Sequence, residues 1–180
     1  MRAALSRTVP IVAALAAVAP APAAARPADP PPDYPPPRPD ADTDTHTVTR
    51  AYPVDGPHTY SDGFHDRYHH EGQDVLAACG TRLRAVEDAT VRRVASEAAA
   101  GRYIVLHDTS SGADYVYMHM SEIDVAAGDH VRAGRRVGEV GQTGDATGCH
   151  LHFEAWTAPG WYAGGRPHDP MALLRSLRDS

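Results

Sequence analysis

The sequence contains no lysine, so every basic side chain is an arginine. Functions that attach a cofactor covalently to a lysine are therefore excluded. Positive charge is also scarce, because 17 basic residues face 23 acidic ones and the formal net charge is −6. Recognition of nucleic-acid phosphates needs a basic face, and this balance argues against nucleic acid as a partner.

Long apolar runs are missing too. The apolar segment 11–18 is too short to span a bilayer as a permanent helix. It follows Arg2 and Arg7 and precedes three small residues at 23–25, which is the pattern of a secretory signal. No cysteine lies near the predicted cut, so a lipid anchor is not expected. We predict a secreted protein without a transmembrane anchor, extracellular or associated with a cell wall.

The segment that follows the signal is rich in proline and polar residues. Two triple-proline stretches within 30–37 impose an extended, solvated backbone that buries almost nothing. A chain of 180 residues suits one domain and a small appendage. The sequence predicts a signal peptide at 1–25, a disordered linker at 26–50 and one domain at 51–180, which we expect to be monomeric.

The predicted domain consists of short β-rich runs bounded by glycine, aspartate or serine. Strands are predicted at 90–95, 103–107, 114–120, 136–140 and 150–156. Their close spacing favours an all-β fold of antiparallel sheets, either a sandwich or a partly open barrel. One short C-terminal helix is predicted, with Asp169 as its cap, Pro170 in its first position and leucines within 173–177 facing the core.

Two cysteines, Cys79 and Cys149, stand far apart in the sequence. An isolated pair in an exported protein predicts a disulfide. Alternation in the predicted strand turns Cys149 toward the face of Leu151 and away from that of His150. We therefore do not expect Cys149 to bind a metal.

Histidines and an aspartate form two motifs that could bind a metal. His150 and His152 lie two apart in a predicted strand, so both imidazoles point the same way. His70 and Asp74 flank Gly72, and a loop that turns there into a strand can aim both side chains at one point. Two imidazoles with a carboxylate are a standard catalytic zinc set that leaves a fourth position for water.

A third motif contains His119. The predicted strand 114–120 places His119 on one face with Tyr115 and Tyr117, and we expect this face to meet the presumed metal. The opposite face is predicted to be core and consists of Val116, Met118 and Met120.

Together the three motifs resemble the lysostaphin-like family of zinc metallopeptidases, the peptidoglycan endopeptidases with a duplicated-hybrid-motif fold. The family pattern His-x-Gly-x-Asp, Tyr-x-His and His-x-His-Phe-Glu is matched in order at 70–74, 117–119 and 150–154. The resemblance covers about 52–161 and includes the glycine-rich stretch 128–144. It implies an enzyme: a zinc metalloendopeptidase that hydrolyses peptide cross-links of bacterial peptidoglycan, with zinc-activated water as the nucleophile.

The resemblance also implies roles for five side chains. One Zn²⁺ per chain would be bound by His70, Asp74 and His152. His119 and His150 would stand beside the metal without ligating it, one as general base and one as stabiliser of the oxyanion. The sequence does not assign these two roles.

Several alternatives stay open at the level of sequence. His69 could replace His70 as a ligand, although its spacing to Asp74 departs from the family pattern. Glu154 could orient a ligand or form a salt bridge at the strand end. Tyr60 or Tyr68 could assist catalysis.

Two other functional classes fit parts of the sequence. One is a catalytically inactive relative that binds cell wall or regulates a partner hydrolase, which the presence of all five side chains disfavours. The other is a biotinyl or lipoyl carrier, suggested by a hairpin-like segment at 128–134 and excluded by the absence of lysine.

Overall fold

A computed structural model describes residues 49–66 and 69–178. The predicted signal peptide, and the linker up to residue 48, lie outside the described residues. These segments and the domain boundary at residue 50 therefore remain predictions. No helix within the described residues is long and apolar enough to cross a membrane.

The described chain forms short strands, one 3₁₀ turn and one α-helix. The strands are β1 (Val54–Asp55), β2 (His58–Tyr60), β3 (Gln73–Ala77), β4 (Arg82–Arg84), β5 (Ala89–Glu97), β6 (Gly101–Asp108), β7 (Asp114–Met118), β8 (Glu122–Ile123), β9 (His130–Val131), β10 (Arg136–Glu139), β11 (His150–Trp156) and β12 (Pro167–His168). The 3₁₀ turn is Trp161–Ala163, and helix α1 is Met171–Arg178. The predicted strands are thus present, and none of their ends shifts by more than two residues.

The strands form two antiparallel sheets. The smaller sheet has the order β1-β4-β10-β8, and the larger has the order β2-β3-β11-β7-β6-β5-β9, with β12 also pairing with β11. Among the described residues the sheets do not close into a barrel. The all-β prediction is confirmed, and of its two variants the sandwich is correct.

The inner faces of the two sheets form the main hydrophobic core. Leu83 and Val137 of the smaller sheet are fully buried, as are Val75, Leu106 and Phe153 of the larger one. Burying an aliphatic or aromatic side chain of this size contributes about 1.5–3 kcal/mol. This core fixes the spacing of the strands that bear the functional side chains.

Helix α1 forms as the sequence predicts. Asp169 accepts a hydrogen bond from the backbone nitrogen of Met171 at 2.8 Å, which satisfies one of the free donors at the helix start. Leu174 and Leu177 are buried in the main core, and Leu173 packs against it partly exposed. The helix therefore covers part of the core with its apolar stripe.

The register of β7 corrects the predicted faces of that strand. Tyr117 pairs with Phe153, and Val116 pairs with Glu154, so Tyr117 faces the main core and Val116 faces the outside of the sandwich. Val116 and Met118 belong to a second apolar cluster on this outer face of the larger sheet. Their assignment to the main core was wrong, whereas Met120, beyond the strand end, does lie there.

Cys79 and Cys149 are joined in a disulfide, with their Cα atoms 5.3 Å apart. The bond connects the end of the β3 segment to the residue that precedes β11. Cys149 packs against the main core, as strand alternation predicted. The disulfide thus lies next to the strand that carries His150 and His152 but does not enter their face.

Candidate metal centre

Strands β3 and β11 bring an aspartate and a histidine together across 78 positions of sequence. Their antiparallel register pairs Asp74 with His152. The Nδ1 atom of His152 lies 2.9 Å from Oδ1 of Asp74, and on the opposite face Leu151 and Phe153 enter the main core. The alternation predicted for β11 is confirmed.

His70 reaches the same point from the loop before β3. Its Nδ1 donates a hydrogen bond to the carbonyl of Gly63 at 2.9 Å. This contact turns Nε2 toward Asp74, whose Oδ1 lies 3.0 Å away. Ligand atoms from His70, Asp74 and His152 all lie within 4.8 Å of one another. The three side chains predicted to bind the metal are therefore neighbours in the structure.

Gln73 holds the loop that orients His70, and the sequence reasoning missed it. Its side chain is buried and donates from Nε2 to the carbonyls of Ser61 at 3.2 Å and Asp62 at 3.1 Å. Those carbonyls belong to the turn that also presents the Gly63 carbonyl to His70. The sequence did contain a signal for this role, a polar amide on the face of β3 that otherwise carries core residues.

Gly72 leaves the space in which the His152 ring lies. A Cβ atom at this position would stand 2.6 Å from the carbonyl oxygen of Phe153 and 2.8 Å from Nε2 of His152. Real Cβ atoms do not approach other atoms so closely. The glycine of the His-x-Gly-x-Asp motif is thus a steric requirement of the site.

His152 lies between two carboxylates. Nδ1 donates toward Asp74, and Nε2 donates toward Oε1 of Glu154 at 3.0 Å. Burial opposes the charged ring, but the hydrogen bonds to Asp74 and Glu154 outweigh it and raise the pKa of His152 to about 9. Burial likewise opposes ionisation of Asp74, yet the adjacent histidines lower the pKa of its carboxyl group. The site therefore favours a positively charged His152 ring and an ionised Asp74 carboxylate, although burial opposes both charges.

His119 and His150 flank these side chains with matched hydrogen bonds. Nδ1 of His119 donates to the carbonyl of Thr143 at 2.8 Å, and Nδ1 of His150 donates to that of Gly148 at 2.9 Å. In each ring Nε2 is left as the nitrogen available for other partners, and Nε2 of His150 lies 3.8 Å from Oδ1 of Asp74. Burial lowers the pKa of His119, helped by the neighbouring histidines and opposed by the hydrogen bond to Thr143.

The path by which His119 reaches the site differs from the prediction. Strand β7 ends at Met118, and a regular continuation would have pointed His119 into the main core with Tyr117. Instead His119 has φ of 63°, in the left-handed region that residues other than glycine seldom adopt. Its ring centre lies 4.6 Å from that of His150 and 6.0 Å from that of His152. The location predicted for His119 agrees with the structure, but strand alternation was the wrong reason.

The remaining candidates divide clearly. His69 is exposed and does not belong to the cluster of three possible ligands. Tyr60 pairs with the core residue Val75, and its hydroxyl accepts a hydrogen bond from Tyr52, so it faces away from the site. Tyr68 lies outside the described residues. Glu154 contacts a ring nitrogen of His152, and this contact fits both alternatives stated for it, the orientation of a ligand and a salt bridge.

A model of peptidase family M23 matches residues 68–170, just over half of the chain. The chain belongs to peptidase family M23. Members of this family are metallopeptidases, and the resemblance found in the three sequence motifs is confirmed. The cluster of His70, Asp74 and His152 lies within the matched region.

Comparison with individual M23 proteins gives the same picture. The peptidoglycan DD-endopeptidase ShyA of Vibrio cholerae is 35% identical over 116 residues, which are 58% of this chain and 26% of ShyA. The structure of the antimicrobial peptidase lysostaphin from Staphylococcus simulans matches with a TM-score of 0.62 and 26% identity, over 71% of this chain and 55% of that one. A zinc-containing peptidase from Vibrio cholerae matches with a TM-score of 0.60 and 30% identity, over 69% and 40%.

The chain spans only part of its relatives. Its matches to the first curated relatives cover between 21% and 29% of their length. The other parts of those proteins have no counterpart in the alignment. What the complete relatives act on is therefore support for a proposal about this chain and does not establish its substrate.

Proposed function

We propose that this M23 peptidase is a secreted zinc metalloendopeptidase that hydrolyses peptide cross-links of bacterial peptidoglycan. The observation that carries the proposal is the convergence of ligand atoms from His70, Asp74 and His152 within 4.8 Å. Two imidazoles and one carboxylate are the donor set of a catalytic zinc site with an open position. The partly buried, hydrogen-bonded geometry fits such an ion because the three side chains are already directed at a common point.

The two flanking histidines supply the proton chemistry. When bound, zinc lowers the pKa of a water molecule and polarises the substrate carbonyl. Of His119 and His150, one, neutral at Nε2, takes the proton of the attacking water there. The other, protonated on both nitrogens, donates a hydrogen bond from Nε2 to the developing oxyanion. The proton then passes to the leaving amine. Backbone carbonyls on both Nδ1 atoms keep the two rings oriented for these roles.

Three further observations support the substrate class and the location. ShyA, which shares the peptidase region, is named as a peptidoglycan endopeptidase. The disulfide between Cys79 and Cys149 is typical of proteins in oxidising compartments. The predicted signal peptide and the proline-rich linker, although outside the described residues, are consistent with export and with a tether that leaves the domain free to reach a polymer.

Digestion of purified peptidoglycans tests the proposal. Sacculi with direct D-alanyl cross-links and sacculi with glycine bridges are incubated with the zinc-loaded chain, and the released peptides are identified by mass spectrometry. We expect cleavage of at least one cross-link type, loss of cleavage with a chelator, and recovery on adding zinc. Asp74→Ala serves as the control and should retain little zinc, because it removes the carboxylate that both ligand histidines contact.

The same experiment distinguishes the proposed peptidase from the alternative function, a catalytically inactive relative that binds cell wall. A chain that binds zinc and sediments with sacculi, yet releases no peptide from any cross-link type, is the inactive cell-wall-binding relative. A chain that binds no zinc under metal-replete conditions contradicts the proposed metal centre itself. Full zinc occupancy in Asp74→Ala contradicts the ligand set.

A further inference from the structure

Three buried side chains form a line of hydrogen bonds along the outer face of β11. The indole Nε1 of Trp156 donates to Oε2 of Glu154 at 2.7 Å. The other oxygen of Glu154, Oε1, lies 3.0 Å from Nε2 of His152. The exposed fractions of His152, Glu154 and Trp156 are 8%, 5% and 8%, so water contributes little to holding them. The line ends at the nitrogen of His152 that faces away from Asp74.

We propose that Trp156 is a positioning residue that sets the metal affinity of the site by holding Glu154 against His152. This inference rests on the proposed zinc function. A histidine that ligates through Nδ1 must carry its proton on Nε2, and a carboxylate acceptor at Nε2 fixes both the tautomer and the ring orientation. Glu154 performs this task only while its own carboxylate is held in place.

Tryptophan suits this position because its nitrogen can only donate. The indole N–H offers no lone pair, so the Glu154 oxygen that faces it must be an acceptor. A buried carboxylate that loses one of two donors is left under-satisfied, which is costly in a place without water. We therefore expect that removing the indole N–H lets the Glu154 carboxylate rotate away from Nε2 of His152, and that this movement releases the His152 ring.

Trp156 is itself fixed by a packed network at the far end of β11. Its ring centre lies 5.9 Å from that of Trp161, and the backbone nitrogen of Trp161 donates to Asp114 at 2.8 Å. Asp114 is fully buried, pairs with Trp156 in the β7–β11 register, and accepts hydrogen bonds from Arg92 and His107. The 3₁₀ turn that begins at Trp161 thereby supports the metal ligand from the other end of the strand.

A purely structural role makes a different prediction. Trp156 also packs in the outer apolar cluster with Tyr103, Val105 and Val116. If packing were its only role, replacing the ring would change stability and leave zinc affinity alone. Zinc affinity and stability therefore have to be measured on the same variants.

The test uses Trp156→Phe, which keeps an aromatic ring and removes the N–H, and Glu154→Gln, an isostere that can accept from only one of the two facing donors. Val105→Ala is the matched control, because it removes volume from the same outer apolar cluster and takes no hydrogen-bonding group away. Zinc dissociation constants come from competition with a chelator, and melting temperatures are recorded for the metal-free proteins. We expect zinc affinity to fall by about 10-fold in Trp156→Phe and by about 10- to 100-fold in Glu154→Gln, and to stay unchanged in Val105→Ala.

The double variant decides whether tryptophan acts through the carboxylate. If it does, Trp156→Phe added to Glu154→Gln costs no further zinc affinity, since coupled residues are not additive. Losses that add fully, or a Trp156→Phe that binds zinc as the wild type does, overturn the inference. If Trp156→Phe does not fold, unchanged affinity in Glu154→Gln overturns it alone. A wild-type chain that binds no zinc contradicts the proposed function and is recognised before any variant is compared.

Discussion

Gly72 is a position where the metal site has no room for a side chain. The His152 ring and the Phe153 carbonyl occupy the place of a side chain there. We predict that Gly72→Ala destabilises the protein by about 1–3 kcal/mol, the usual cost of overpacking, and weakens zinc binding because His152 must shift. Urea unfolding and zinc titration measure the two effects.

Gly148→Ala is the matched control for this prediction. A Cβ atom at Gly148 meets nothing within 4 Å, although Gly148 lies just before β11 and its carbonyl orients the His150 ring. We expect this variant to bind zinc and to unfold as the wild type does. Equal zinc affinities in the two alanine variants would contradict a steric role for Gly72.

Variants of His119 and His150 should lose catalytic activity without losing the metal. Neither belongs to the group of three ligand atoms, and each is oriented through a backbone carbonyl. We predict that His119→Ala and His150→Ala retain zinc and lower turnover by about two to four orders of magnitude, as for loss of a general base or oxyanion donor. The Michaelis constant should change little.

Zinc content, melting temperature and turnover on soluble muropeptides are measured on the same preparations. His130→Ala is the control, since His130 is exposed in β9 and contacts Thr90 far from the ligand cluster in the strand order. Turnover near the wild-type rate in both site variants, or zinc loss in either, would show that the assigned roles are wrong.

At the scale of elements, the sequence predicts regular strands better than the residues that end them. Alternation in β11 correctly placed His150 and His152 on one face, because that strand keeps its extended backbone throughout. The same rule failed for His119, where the backbone enters the left-handed region just after β7. A backbone hydrogen bond from His119 to the carbonyl of Ala100, on the turn before β6, supports this conformation. Such a contact depends on the fold and has no local sequence signal.

The C-terminal helix was predictable because its signals are local. Asp169 caps the helix, and Pro170 accepts its first backbone hydrogen bond from Leu174. We predict that Asp169→Ala lowers the free energy of unfolding by about 0.5–2 kcal/mol. Asp169→Asn keeps an acceptor at the cap and should lose much less. Urea unfolding followed by tryptophan fluorescence measures both, and equal losses would contradict the cap.

At the scale of the whole molecule, the metal centre is a product of long-range pairing. His70 precedes β3, Asp74 lies within it, and His152 lies 78 positions after Asp74. Only the β3–β11 register brings the carboxylate and the imidazole together. The sequence suggested this grouping through a family resemblance, since no rule of local spacing relates residues so far apart. The site is therefore expected to lose its metal when the sandwich unfolds.

The disulfide acts on that global equilibrium rather than on the site. It links Cys79 and Cys149 across 70 positions, and closing a loop of this length contributes about 4 kcal/mol in the chain-entropy model. We predict that replacing both cysteines by serine shifts the urea midpoint down by a corresponding amount. Zinc affinity of the folded variant should be unchanged, because the pairing of Asp74 with His152 relies on the β3–β11 ladder and not on the sulfur atoms.

The serine variant is compared with the oxidised wild type and with the wild type reduced under native conditions. The reduced protein should have the same urea midpoint as the serine variant. If all three share one midpoint, the bond contributes nothing to folding. If the folded variant loses zinc, the bond positions β11, and the separation between global stability and the metal centre does not hold.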